Sequence, residues 1–418
     1  MPRAEDAESL AAGAVQWLLG AARDSETGLV WAPTATNDEV DPTLYHGAAG
    51  IVLALLEAQH HFRDDSYGDA ALRGARAIAA VVDQERYWSL YSGLTGMAVA
   101  LRAVHDRLGD APAGAAADHA LDRVRAHFDG QRWGDMFELL AGNAGIALGA
   151  LHAGDVELAV LAVTPYLQTA DPTPGGVNWA VRPSPARSHH IAHGTLGIVY
   201  ALAAVAATTR RAELLEAALA GASDVVARNE AEPHGFLVPH SDPPHKPELI
   251  ERYSYGWCNG PAGDAQVFRL LSAETDDPAW SNLADQCWYT VTHSGLPQRI
   301  RPGFWDNSGR CCGTAGVLAL ACDRHIEQAE PLDFANVLVD DLAARATIDT
   351  HGVRWSNHEH RVNPSTLEPR TGWAMGNAGI VRELLRFVRA SAGTDPAYAV
   401  PWPDHSPAAP PRHTSTAR

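Results

Sequence analysis

Three of the five cysteines of this 418-residue chain fall in two stretches that echo each other, YGWCNGPAG at 255–263 and RCCGTAG at 310–316. Each stretch ends in Gly-x-x-Gly and runs into an apolar segment of helical length. Cys258 precedes the first glycine of one, and Cys311 and Cys312 precede that of the other. Three thiolates from two loops would give Zn²⁺ three protein ligands and an open fourth position, the arrangement of a reactive rather than a structural zinc. The chain has no Cys-x-x-Cys pair of the kind that closes structural sites. A soft, all-sulfur donor set also favours zinc over magnesium or calcium. The two following helix N-termini add positive potential that favours thiolate. Three thiolates on Zn²⁺ leave a net negative centre, a weak Lewis acid toward water but one that keeps a fourth sulfur nucleophilic. The set therefore suits thiol activation better than hydrolysis. Adjacent cysteines also serve as buried packing residues, and Cys287 and Cys322, inside helical patterns, are read that way.

The elements that must position these cysteines form a repeat. Gly-x-x-Gly before an apolar segment recurs with first glycines at Gly47, Gly93, Gly142, Gly194, Gly260, Gly313 and Gly376. One such motif means nothing, but seven at spacings of 46 to 66 residues mean an array. Between them lie amphipathic patterns at 69–82, 115–128, 157–167, 212–226 and 332–346, and the segment 8–22 pairs with the first motif. The glycine-led helices are nearly uncharged and are expected to be inner, their charged partners outer. Seven inner and seven outer helices predict an all-α, closed α/α toroid, although an open solenoid has the same periodicity. Gly-x-x-Trp at Gly28, Gly130, Gly176 and Gly352, with looser versions at Gly235 and Gly303, predicts short strand-like pieces at one end, each tryptophan covering a helix pair. Long loops at 169–192, 229–256 and 348–374 hold many of the histidines and arginines, and such loops usually carry binding. Residues 1–393 are read as one domain and the Pro-rich 394–418 as a disordered tail.

Composition excludes some partners. A net charge of −18 repels phosphate backbones, so no nucleic acid is expected. No apolar run is long enough for a membrane span, and the acidic N-terminus lacks the layout of a secretory signal. An odd number of cysteines fits a reducing compartment, so a cytoplasmic location is expected. No P-loop or kinase-like glycine loop is present.

With the seven motifs and the cysteines assembled, the chain resembles the lanthionine synthetase C-like family over about residues 5–391. GWCNGPAG at Gly256 is similar to that family's Trp-Cys-x-Gly, and CCGTAG at Cys311 to its Cys-His-Gly. The resemblance implies an α/α toroid that binds zinc through Cys258, Cys311 and Cys312, with Cys312 in a histidine's place. Three-cysteine versions occur among the synthetases and go with high reactivity. By the same resemblance His193, in IAHGTLG, is the acid that protonates the enolate, a task that imidazole suits near neutral pH. Glu138 falls where the family usually has aspartate. The family's arginine before the first cysteine matches Ser254 here, and Arg252 is the nearest candidate. Trp257 and Asn259, which flank Cys258, are expected to touch substrate.

The resemblance implies a zinc-dependent peptide cyclase adding cysteine thiols to dehydroalanine or dehydrobutyrine. Its substrate would be a precursor peptide with dehydrated Ser and Thr, supplied by a separate dehydratase, since nothing in the chain resembles a lyase or kinase. Two other readings stand beside it: addition of a free thiol such as glutathione to dehydrated proteins, and a non-catalytic zinc-stabilised scaffold. The Glu138 and Ser254 departures motivate the second of these.

Overall fold

The computed structural model describes residues 2–298, 307–359 and 363–402. Helices are numbered in chain order. The inner set is α2 (Ala48–Phe62), α4 (Leu94–Leu108), α6 (Asn143–His152), α9 (Thr195–Thr209), α11 (Pro261–Thr275), α13 (Thr314–Gln328) and α15 (Asn377–Ser391). The outer set is α1 (Pro2–Gly20), α3 (Asp65–Val81), α5 (Ala111–Ala126), α7 (Val156–Val163), α10 (Ala212–Val226), α12 (Pro278–His293) and α14 (Asp333–Arg345). A single turn, α8 (Tyr166–Thr169), continues α7 after Pro165, whose missing N–H breaks the helix expected through 167. This is the (α/α)₇ toroid that the periodicity predicts.

The ring is closed, which rules out the open solenoid. In six of the seven repeats the residue two places before the first glycine is tied to its counterpart in the next repeat by a backbone hydrogen bond. Leu140 N–H donates to Ala192 O at 3.3 Å, Ala192 to Cys258 at 3.0 Å, Cys258 to Cys311 at 3.0 Å and Cys311 to Ala374 at 2.8 Å. Ala374 then donates to Tyr45 at 3.1 Å and Tyr45 to Tyr91 at 2.8 Å, joining the seventh repeat to the first and second. A belt of main-chain bonds therefore runs around the ring at the N-termini of the inner helices.

The second glycine of each motif has a steric cause. A Cβ on Gly263 would collide with the carbonyl oxygen of Trp257, and one on Gly316 with that of Arg310. Each repeat folds its loop back over the first turn of its own inner helix, and only hydrogen fits between.

Hairpins form at three of the expected Gly-x-x-Trp sites: Arg23–Ser25 with Gly28–Val30, Asp171–Thr173 with Gly176–Asn178, and Ala346–Asp349 with Gly352–Trp355. The buried indoles of Trp31, Trp179 and Trp355 donate to Leu18, Tyr166 and Leu342 carbonyls at 2.8, 3.0 and 2.7 Å, closing the ends of the preceding helices. At Gly130 and Gly235 no strand forms, although Trp133 makes the same bond to Val124 O at 2.6 Å. Gly303 lies outside the described residues. No helix among the described residues is long and apolar enough to cross a membrane.

Two expectations need correction. The inner helices of the last repeats are charged, and the charges are buried and paired: Arg386 with Asp323 at 2.6 Å, Arg269 with Asp323 at 2.9 Å, and Arg389 with Glu57. Most of these charges lie beyond the first turns that the glycine motifs mark, and Asp264 in the first turn of α11 is buried against His190. The tail, expected to be disordered from 394, packs instead through residue 402. Tyr398 Oη donates to Glu383 at 2.6 Å, Ala399 N–H to Glu57 at 2.9 Å, and Arg382 to Val400 O at 2.9 Å. Trp402, 1 % exposed, stacks on Trp373 with ring centroids 5.0 Å apart. Trp373 also meets rings from the first, second and fifth repeats, Tyr45, Tyr91 and Trp257, so the tail ends on the axis of the ring. The expected disorder of 403–418 falls outside the described residues.

Candidate functional site

The belt places side chains by position. Residues two before the first glycine, among them Tyr45, Cys258 and Cys311, hang from its links. Residues one before, among them His193, Asn259 and Cys312, follow directly. Those three before, including Trp257, Arg310 and Trp373, turn into the core. Cys258, Cys311 and Cys312 consequently converge, with sulfurs within 4.8 Å of one another. Cys258 and Cys312 sulfurs lie 3.0 Å apart and Cys312 and Cys311 sulfurs 3.4 Å, well beyond a disulfide bond. All five cysteines are free, and Cys287 and Cys322 are buried in α12 and α13 as expected.

These sulfurs fit zinc. A Zn–S length of about 2.3 Å in a tetrahedron separates sulfurs by about 3.8 Å; two of the observed spacings, 3.0 and 3.4 Å, lie just below that value and all lie within 4.8 Å. Without metal the three groups share protons. Cys311 is drawn well below the usual thiol range by hydrogen bonds from Cys258 and Cys312, with Tyr45 assisting, while donating within the cluster pushes Cys258 and Cys312 up. Tyr45 Oη donates to Cys311 Sγ at 3.4 Å and Asn259 Nδ2 to Cys258 Sγ at 3.5 Å. Tyr45 was not singled out by the sequence, yet it occupies the same place in the first repeat as Cys258 in the fifth.

The thiols open into a cavity of about 460 Å³ whose lining includes Tyr45, Arg182, His193, His240, Tyr253 and Asn259. His193 is one-third exposed there, and its Nδ1 lies 3.6 Å from Oε1 of the fully buried Glu138. The Glu138 carboxylate accepts the amides of Leu140 and Ala141, so its own loop fixes it. The longer side chain still reaches the histidine. Two expected residues are elsewhere. Arg252 is half exposed and holds Glu230 at 2.6 Å, outside the cavity lining. Trp257 is 1 % exposed and packs on Tyr91 and Trp373 as the floor below the thiols, out of reach of substrate.

Arg182, which the sequence did not single out, is the guanidinium among the described cavity-lining residues. It sits on the long loop before the fourth motif, held by the pairing of Arg187–Ser188 with Ser241–Asp242.

The lanthionine synthetase C-like family model matches residues 38–243 and 244–339. The chain belongs to the lanthionine synthetase C-like family. Among solved structures, nisin cyclase is similar over 94 % of this chain and 95 % of its own, with a TM-score of 0.64 at 16 % identity. An unsaturated glucuronyl hydrolase specific for heparin (TM-score 0.51, 13 % identity, covering 93 % of this chain and 98 % of its own) shares the fold. The GH76A α-1,6-mannanase from Salegentibacter sp. HEL1_6 (TM-score 0.50, 12 % identity, covering 92 % and 98 %) shares it too. No curated protein matches the chain. At these identities the structural likenesses speak for the toroid alone, and the family rests on the family model.

Proposed function

We propose that this family member is a zinc-dependent peptide cyclase, acting in the cytoplasm, that adds cysteine thiols to dehydroalanine or dehydrobutyrine and forms (methyl)lanthionine rings. The observation that carries the reading is the convergence of three thiols with His193 on one cavity wall, backed by buried Glu138. Zinc held by Cys258, Cys311 and Cys312 would supply a place where a substrate sulfur is kept deprotonated and nucleophilic.

The chain's own residues supply the rest. When the substrate sulfur bonds to the β-carbon, the carbon–carbon double bond opens and its electron pair moves to the carbonyl oxygen as an enolate. His193 faces the same cavity and delivers a proton to the α-carbon. Glu138, pinned by two amides, holds the imidazole and balances its charge. The reaction adds S–H across C=C and consumes no other reagent. A cavity of about 460 Å³ takes a few residues, so both partners come from one peptide held in place. The dehydrated residues come from a separate dehydratase.

The test is zinc analysis of the purified protein followed by incubation with a dehydrated peptide containing cysteine, read by loss of alkylatable thiol without change of mass. One equivalent of zinc and thiol loss support the reading. An inactive, zinc-replete protein that binds a dehydratase supports the scaffold instead, and glutathione adducts with no rings support free-thiol addition.

A further inference from the structure

Arg182 has no part in the residue set that the family resemblance brings to this chain, yet its placement is specific. It lines the cavity with His193 and the three thiols. Nη2 donates to Ser188 Oγ at 3.3 Å and to the backbone oxygen of His193 at 3.4 Å, both neutral and both long. Its Nε is buried with no partner, and no carboxylate among the described residues is within ion-pair distance. The negative charge that acts on it is that of Glu138, which already faces His193. The buried arginines Arg269, Arg310 and Arg386 each have a carboxylate partner, and Arg382, which has none among the described residues, is covered by the Tyr398 and Trp402 rings and bonds Val400 O. A guanidinium stays charged at any working pH, and leaving it half-buried and unpaired is costly unless an anion arrives.

We propose that Arg182 is the oxyanion-binding residue of this site: it donates to the carbonyl oxygen of the dehydroamino acid, where negative charge appears as the carbon–sulfur bond forms. The proposal rests on the cyclase reading and extends it. Addition breaks the C=C π bond and puts its electron pair on that oxygen. Arg182 stabilises the enolate through Nε–H and Nη1–H, and the proton from His193 then returns the pair to a C–H bond. Because Arg182 holds the backbone of His193, oxyanion donor and acid are set relative to one another by one short stretch of chain.

A binding experiment on zinc-loaded protein separates this assignment from the turnover question. 3-Mercaptopropionate carries a negative oxygen at the same bond count from sulfur as the enolate oxygen, whereas 1-propanethiol has the same length and no charge. Wild-type protein is expected to bind 3-mercaptopropionate at least about tenfold more tightly, the scale of one charge-assisted hydrogen bond. Arg182→Gln should remove that preference while leaving 1-propanethiol binding, zinc content and melting temperature unchanged, and Arg182→Lys should restore part of it. An unchanged preference in Arg182→Gln overturns the assignment. In turnover, Arg182→Gln should lower kcat about a hundredfold with a smaller change in KM. If wild-type protein cyclises no dehydrated peptide but the thiol preference still depends on Arg182, the cyclase reading fails and the anion site stands.

Discussion

The backbone N–H of Cys258 donates to the carbonyl oxygen of Cys311 at 3.0 Å, so the first two thiols hang from adjacent links of the belt that closes the ring. Their positions are set by main chain and not by the metal. Cys258→Ala, Cys311→Ala and Cys312→Ala should each lower zinc content from about one equivalent toward zero while the far-ultraviolet circular dichroism stays that of the wild type. Loss of helix on zinc removal would show that the metal, and not the belt, holds the ring. Cys312→His should keep zinc but make the centre neutral, and thiol addition should slow.

Among the described residues His193 is the ion-pair partner of Glu138, whose hydrogen bonds go to its own loop and whose charge also acts on Arg182 and Tyr166. Glu138→Gln keeps the shape and removes the charge that supports a protonated imidazole. Thiol loss by a dehydrated peptide should slow about a hundredfold, the usual worth of general acid catalysis, with zinc unchanged. Glu138→Asp draws the carboxylate back by a methylene from a contact already at 3.6 Å and should be impaired as well.

What the sequence made legible and what it hid follow from one difference. The thiols, His193 and Glu138 sit within four residues of a repeated glycine motif, so counting repeats placed them on one ring. Arg182 lies on an irregular loop with no period, brought in by a two-residue strand pairing with 241–242 that no pattern marks. Arg252 misled because it is six residues from Cys258, but Glu230 and the bond from His240 N–H to its carbonyl at 2.8 Å turn it outward. Trp257 misled because adjacent positions on the loop face opposite ways, one to the thiols and the next to the core. The tail misled through its prolines, since Tyr398, Val400 and Trp402 alternate toward the axis in a Pro-rich stretch.

His189 and His240 give the protein an acid limit. Both are buried, neither His189 ring nitrogen has a partner, and burial is the main cause holding both near pKa 3. The folded values lie below the ordinary 6.5, so between pH 6.5 and about 3 the unfolded chain binds more protons than the folded one. Stability therefore falls as pH falls through that window, by about 1.4 kcal/mol per pH unit for each histidine. Urea unfolding at pH 7 and pH 5 should show a loss of about 2 kcal/mol per histidine. Desolvation likewise holds His152 down at about 4, so over this window three histidines contribute. His189→Gln should flatten the slope by about a third, and an unchanged slope would assign the acid sensitivity elsewhere.

The tail's packing is open to direct measurement. Trp402 covers Trp373, and Trp373 supports Tyr45 and Trp257 directly beneath the thiols. Arg382 lies over the Trp402 ring, with its guanidinium carbon 4.3 Å from the ring centroid, and also bonds Val400 O, so removing the indole strips a buried cation of its cover. Trp402→Ala should cost about 3–5 kcal/mol in urea unfolding, the range for a large buried aromatic. Tyr398→Phe leaves one Glu383 oxygen without this donor and should cost about 1–3 kcal/mol. Deleting residues 394–418 should combine these losses and expose Glu57, whose carboxylate otherwise accepts from Ala399. Zinc content should survive Tyr398→Phe, because Glu383 keeps its bond to Arg310, the neighbour of Cys311, through its other oxygen. A deletion as stable as the full chain would place the tail outside the ring.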